Sequence, residues 1–459
     1  MKTYLFVLVF YLSQSSAFAQ SIISNELKVP IQNALNTSYE ITNKQLEAHK
    51  TEINAESVLA KLKPEISANA VLSHFYQRGI IDVPTVTLPI TGLNLFEGSQ
   101  SFSANGNIGT VGISATQIIF SGNQIPNAAK ALKEKAEAQH LLAEADKDAI
   151  AKEVVTTFDQ LMLLKEAEKL IWDTQKRLDK ESEKVKKAII NGLAIPYDRD
   201  KIALALLELE AKKVEIVGNR KLLNQRLTQL THIDNSQISN IQYPLETIVI
   251  FDVDSTTQNR KELKALIHSS KALDYMRKKE KNSGLPSVFA FGNISYMNIF
   301  NSKITFKDVA NLNDVHLKLD QFSVAPNILF GIGAKWTIYA GGEHKHKVEL
   351  VKIDQEINEN KTKDTDEKLK LLIQKSKIEY ENAFEKLKIS HQQVTISNNN
   401  KLLATKQYTE GLISVTERLE AENDFFKASL NHIININSQR KTALDLLQAN
   451  GTLLTKILN

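Results

Sequence analysis

The sequence predicts a mainly α-helical chain with four β-strands, built as an internal tandem repeat whose very long helices pair as antiparallel coiled coils. Three observations predict it. Landmarks recur at one spacing: Gly192-Leu193 and Gly411-Leu412 lie 219 positions apart, as do Gln117–Gly122 (QIIFSG) and Trp336–Gly341 (WTIYAG). Pro64 and Pro286 form a third pair, offset by 222. Two stretches of nearly seventy residues, from Gln124 to Ile190 and from Glu343 to Glu410, hold no Gly and no Pro beyond Pro126. Segments ahead of each stretch alternate apolar and small or polar residues with the period of a strand.

The first residues, MKTYLFVLVFYLSQSSAFAQ, place Lys2 before an apolar run from Tyr4 to Leu12 and end on Ala17-Phe18-Ala19. This predicts a secretory signal peptide over 1–19. The apolar run is too short to cross a bilayer as a helix. The 459 residues include no Cys, which excludes a lipid anchor on an N-terminal Cys, disulfides, thiolate metal sites and a Cys nucleophile. The 57 basic and 53 acidic residues leave a net charge of +4, with no nucleic-acid footprint.

The first repeat is expected over 20–240. A helix over about 25–62 ends before Pro64. Strands follow at about 64–76 and 107–120, then the long helix, the turn at Gly192 and a helix from near Tyr197 to Thr231. The polar, irregular stretch after it, 232–258, includes a linker at 241–258 and with the C-terminal tail is expected to form a belt. The second repeat, 259–459, has the same order: a helix over about 259–282, strands at about 286–296 and 324–339, the long helix, the turn at Gly411 and a shorter helix. Apolar residues in the long helices recur at spacings of three and four, as in Leu161, Leu164, Ala167, Leu170 and Ile171, which is coiled-coil patterning.

Within the last strand, Ile328, Phe330, Ile332, Ala334, Trp336 and Ile338 share one face, and Leu329, Gly331, Gly333, Lys335 and Thr337 the other. In the first repeat the apolar face carries Val111, Ile113, Ala115 and Ile119. Alternation alone fits a soluble sheet with one buried face. It also fits a barrel with lipid outside and water inside, with Trp336 and Tyr339 in an interfacial girdle. The export signal and the long helices favour the barrel.

The duplication, Asn259–Leu263 (NRKEL), Gly284–Val288 (GLPSV) leading into a strand, Ile338–Gly342 (IYAGG) and the two Gly-Leu turns, in this order, resemble the TolC-like outer-membrane factors of Gram-negative bacteria. The resemblance covers essentially the whole mature chain. It implies a homotrimer in the outer membrane, each chain giving four strands to one shared β-barrel and its helices to an α-helical barrel through the periplasm. It implies an exit duct for efflux or type I secretion, working with a periplasmic adaptor and an inner-membrane pump. Four strands cannot enclose a lumen, and lipid requires a closed barrel, so physics also asks for several copies. Loops at about 77–100 and 297–323 would face the exterior.

As structure, the Gly-Leu turns are helix–helix turns in which Gly supplies positive φ. By resemblance, Gly192, Leu193, Gly411 and Leu412 dock the adaptor. Resemblance also places entrance-gate carboxylates six and nine positions after the second glycine, at Glu417 and Glu420. Three-residue spacing puts both on one helix face, and rings of them in a trimer would favour cations. The plainer reading is an exposed helix with routine charges, since Arg418 lies between them. An ion-pair lock would use Asp198, but Ile413 stands where the matching Arg belongs, leaving Arg418 or Arg199 as substitutes. The rival class is a periplasmic coiled-coil adaptor or scaffold without a pore, for which one hairpin would suffice. No enzyme, cofactor or metal is expected: His344 and His346 are two apart and share no helix face, residues 331–336 (GIGAKW) lack the full phosphate-loop pattern, and no nucleophile motif occurs.

Overall fold

The structure, a computed structural model, describes residues 22–82, 84–92, 94–96, 98–250, 256–307 and 314–458. The expected signal peptide and parts of the 241–258 linker and of the second outer loop lie outside the described residues. Helices α1 (Lys28–Thr37) and α2 (Tyr39–Ala60) replace the single helix expected first. Ser38 divides them: its extended backbone ends α1, and its hydroxyl accepts from the Ile41 N–H at 3.4 Å, capping α2.

Four long strands follow the sequence order β1 (Glu65–Asp82), β4 (Ser99–Phe120), β5 (Ser287–Phe306) and β6 (Val315–Lys335), with the small pair β2 (Val86–Thr87) and β3 (Asn94–Phe96) between the first two. They form one antiparallel sheet in the order β1-β4-β5-β6. The strands reach well past the expected ends near 76 and 296, and begin before the expected starts near 107 and 324. At its other end β6 stops at Lys335 instead of continuing to 339. The next cross-strand pair would place Trp336 opposite Pro286, which has no N–H to give. Trp336 instead donates its indole N–H to the Gly284 carbonyl at 3.0 Å. Trp336 and Ile338 therefore sit beyond the strand rather than on its face, although both are exposed.

Helices α3 (Gln124–Ile190) and α7 (Glu343–Thr409) are each 67 residues long. Both ends lie 219 positions apart, and so do the starts of α4 (Pro196–Thr231) and α8 (Val415–Ala449). Each long helix extends roughly 100 Å at 1.5 Å per residue. The short helices are α5 (Asn235–Asn240), α6 (Lys261–Lys281) and α9 (Leu453–Leu458). Among the described residues no helix is long and apolar enough to cross a membrane.

The chain divides into two compact units that do not follow the repeats. One holds the described residues up to Ala48, Glu137–Ile267 and those from Asn360 on; the other holds His49–Ala136 and His268–Glu359. Each repeat contributes strands to the second unit and helices to the first.

In the first unit, Ile23, Leu27, Ile31, Val154, Phe158, Leu227, Ile238, Ile248, Leu444 and Ile457 form the largest buried cluster. Side chains also hold the irregular segment after α5. Arg440 pairs with Asp159 through two contacts, Nε to Oδ2 at 2.8 Å and Nη2 to Oδ1 at 2.9 Å, and donates to the Glu246 carbonyl at 2.6 Å. Tyr243 donates to Asp159 at 2.7 Å, and burial pushes its phenol pKa up. Gln439 bonds both the N–H and the carbonyl of Ile248. Without sheet or helix, this backbone has several of its polar groups met by side chains.

Candidate functional site

Two features of the fold stand out: the sheet in one unit and the paired Gly-Leu turns in the other. Cross-strand register sorts the sheet's faces. Ile66, Ala115, Gly292 and Phe330 form one row, and Ala68, Ile113, Ile294 and Ile328 the next. Ala70, Val111 and Tyr296 continue that face, and Ile332 lies on it in the other direction. These large side chains are exposed, Phe330 by 82% and Ile332 by 74%, so no described residue covers them. The opposite face carries a row of Ser67, Ser114, Asn293 and Leu329, then one of Asn69, Gly112, Ser295 and Asn327, followed by the more apolar row of Val71, Thr110, Met297 and Val324. Ser67 and Ser114 bond each other at 2.9 Å. Phe289 and Phe291 also lie on this face, their rings closing over Gly333 and Gly331. Further along the apolar face the rows become polar, with His74 bonded to Asn107 at 3.0 Å.

Ile119, at the other end of β4, is exposed too. Strands of 18 to 22 residues are about twice as long as the roughly 9–11 needed for a tilted bilayer crossing. The outer strands β1 and β6 have no partner on their far sides among the described residues. Exposed apolar residues also recur every seven positions on helices: Tyr39, Leu46 and Ile53 on α2, and Ile389, Ile396 and Leu403 on α7. Seven-residue spacing on an uncovered helix face suits a facing helix.

At the first turn the Gly192 N–H bonds the Ile189 carbonyl at 3.1 Å and the Leu193 N–H the Ala188 carbonyl at 2.8 Å. At the second, Gly411 bonds Tyr408 at 3.0 Å and Leu412 bonds Gln407 at 2.9 Å. Both are Schellman ends, which need a left-handed residue. Gly192 and Gly411 supply it with φ of 71° and 70°. A Cβ at either would meet nothing within 4 Å, so backbone conformation alone asks for Gly. Leu193 and Leu412 are 82% and 72% exposed, and Ile190 and Ile195 add to the first apolar surface. Val185, Ile202 and Val415 form a small core beside the turns, joining the two hairpins.

Asp198 and Glu417 occupy the same place in the two repeats, the third position of α4 and α8. Asp198 accepts from the Ile195 N–H at 3.3 Å. Glu417 accepts from the Ser414 N–H at 2.8 Å and hydroxyl at 2.9 Å, while Ser414 Oγ accepts from the Glu417 N–H at 3.3 Å. This is a capping box. The Ser414 backbone and side-chain bonds hold the Glu417 pKa below the usual range. Glu420 is exposed and, with Lys201, Thr416 and Glu208, lines a cavity of about 200 Å³ formed by α3, α4 and α8.

Arg418 and its repeat counterpart Arg199 differ. Arg199 is exposed and pairs with adjacent Asp200. Arg418 is buried, 3.5 Å from Glu422 and 3.9 Å from Glu181. Glu422 also receives Arg177 at 2.8 Å, and Arg177 bonds Thr174 at 2.9 Å. Arg418 Nε and Nη1 and Glu422 Oε2 have no hydrogen-bond partner among the described residues. Nearby Lys401 stands 3.5 Å over the Phe425 ring, and burial and Arg177 lower its pKa. The Tyr408 pKa is raised by burial, then by Glu181 and Asp198. The network joins α3 to α8, and the motifs in the sequence did not reveal Arg177, Glu181, Glu422 or Lys401. Ile413 supplies no charge, and Arg418 stands within the charged network beside this turn.

Residues 253–452 match the family model of outer membrane efflux proteins. No curated protein matches the chain. Among solved structures, a membrane protein from Pseudomonas aeruginosa aligns with a TM-score of 0.73 at 15% identity, covering 94% of this chain and 95% of that one. The outer membrane protein VceC of Vibrio cholerae aligns at 0.68 and 15% identity, covering 93% and 96%. The Campylobacter jejuni CmeC outer membrane channel aligns at 0.70 and 15%, covering 94% and 86%. At such identities the likeness establishes the fold.

Proposed function

We propose, from a chain that carries an outer membrane efflux protein domain in the fold of outer-membrane channels, that it is the exit duct of a tripartite efflux or type I secretion system. It sits in the Gram-negative outer membrane and extends into the periplasm. The observation that carries this reading is the sheet: exposed apolar rows on one face, Ser- and Asn-bearing rows behind the middle of it, and two long edges that no described residue pairs. In lipid each bare edge would leave backbone groups unsatisfied. Antiparallel order lets β6 of one copy pair with β1 of the next, and three copies supply a closed barrel of twelve strands. The seven-residue apolar stripes on α2 and α7 support the same packing along the helices.

In this duct Leu193 and Leu412, held out by Gly192 and Gly411, form the contact for the adaptor. Glu420 faces solvent, free to act in an entrance ring. Glu417 is committed to its cap and contributes mainly by fixing the start of α8. Arg418 takes the role of the ion-pair lock through Glu181 and Glu422, fastening α8 to α3. Substrate choice belongs to the pump. The protein has no catalytic role in this reading.

The test is planar-bilayer conductance of the detergent-purified protein, wild type beside Glu420→Ala. Channels whose cation selectivity falls in the variant support both duct and ring. Unchanged selectivity removes Glu420 from the gate but keeps the duct. A soluble, monomeric protein that never conducts would overturn the duct and favour a scaffold.

A further inference from the structure

His391 on α7 and His432 on α8 lie 41 positions apart in sequence, yet their ring centroids are 5.5 Å apart with planes at 52°. Ser390, 1% exposed, fixes the second ring. Its hydroxyl donates to the Leu387 carbonyl at 2.9 Å and lies 3.0 Å from His432 Nδ1. A hydroxyl has one proton, so with that proton on Leu387 it can only accept from the imidazole. Nδ1 therefore carries the hydrogen, and Nε2 of His432 keeps its lone pair. An imidazole whose second nitrogen donates to a fixed oxygen is the usual arrangement of a metal-ligating histidine.

The spacing fits the same chemistry. With metal–nitrogen bonds of about 2.1 Å and about 1.2 Å from nitrogen to ring centre, two imidazoles at a tetrahedral angle have centroids roughly 5.4 Å apart. His391 is exposed, so an ion can reach the pair and complete its shell with water. Among the described residues no group of three or more potential ligands gathers anywhere, so this pair has no protein-built rival of higher denticity.

We propose that His391 and His432 form a two-histidine site for a divalent transition-metal ion of the zinc, nickel or copper class, joining α7 to α8. Imidazole donors suit these ions rather than magnesium or calcium. Ser390 is the positioning residue. The site is independent of the duct reading, since it needs only one chain.

Titration calorimetry of the full-length, detergent-purified protein with Zn²⁺, and Cu²⁺ electron paramagnetic resonance, test the proposal. One ion per chain is expected, with two-nitrogen coupling in the copper spectrum. His391→Gln or His432→Gln weakens binding at least tenfold, and Zn²⁺ no longer raises the melting temperature. Ser390→Ala keeps both imidazoles and weakens binding roughly tenfold through lost orientation. Wild-type affinity and two-nitrogen coupling retained in both histidine variants would place the ion among the other eight of the 10 histidines and overturn the site. No Zn²⁺ heat and no coupled copper signal in the wild type would overturn it equally.

Discussion

Arg418 and Glu417 are neighbours whose surroundings are opposite. Glu417 is exposed, and its carboxylate closes a local loop with Ser414. Arg418 is buried among three other charged groups that come from a different helix or the next turn of its own. Removing one member of a buried pair costs about 3–5 kcal/mol. Arg418→Met should fall near the low end, about 3 kcal/mol, because Arg177 stays on Glu422. Glu422→Leu leaves Arg418 only the longer 3.9 Å contact to Glu181 and Arg177 only Thr174, and should cost more. Urea unfolding of the two variants checks the order, and a smaller loss for Glu422→Leu would remove the network's hub.

At the cap the sign with pH is fixed by the direction of the shift. A depressed folded pKa gives stability that is present above the ordinary carboxylate range and lost as pH falls through the folded value. The melting-temperature gap between wild type and Glu417→Gln should therefore be open at neutral pH and close in acid. A gap that widens in acid would contradict the capping geometry.

At the scale of elements, each Gly-Leu turn is legible because its code is local. A helix end, a left-handed residue and a following apolar residue are three adjacent signals. Gly411→Ala places a Cβ in open space, so its cost is the backbone strain of about 1–2 kcal/mol. Gly411→Asn should cost less, since Asn tolerates this conformation, and thermal melts of the pair check it. Leu193→Asp with Leu412→Asp should leave conductance intact and lose adaptor binding in a pull-down with the cognate adaptor.

The strand faces and the 67-residue helices were legible for the same reason: period two and unbroken helical sequence are properties of short windows. The outer strand ends were not, because polar rows such as His74–Asn107 carry no alternation. Ser38 was missed because one serine in a helical pattern is ordinary. The Arg177–Glu422 and Asp159–Arg440 pairs join residues 245 and 281 positions apart, and no periodicity reports such partners.

At the scale of the whole molecule, repetition is itself unequal. Helix starts, turns and caps coincide at an offset of 219, but buried Arg418 answers to exposed Arg199. The two hairpins thus share a backbone plan and differ in how firmly they are fastened. Light scattering of the detergent-extracted protein should give three chains per particle. Charges placed on the α7 stripe, as Ile396→Lys with Leu403→Lys, should shift it toward single chains. Trimers unchanged by both charges would mean that the stripe faces no neighbouring copy.

The bare edges of β1 and β6 carry a kinetic consequence. A lone chain entering lipid would strand the backbone groups of both edges, so partial insertion gains nothing until the ring is complete. In the proposed three-chain duct, the amount of finished pore at low occupancy then follows roughly the third power of the free chain concentration. Halving synthesis should therefore deplete conducting pores, counted in planar bilayers, more steeply than it depletes the polypeptide.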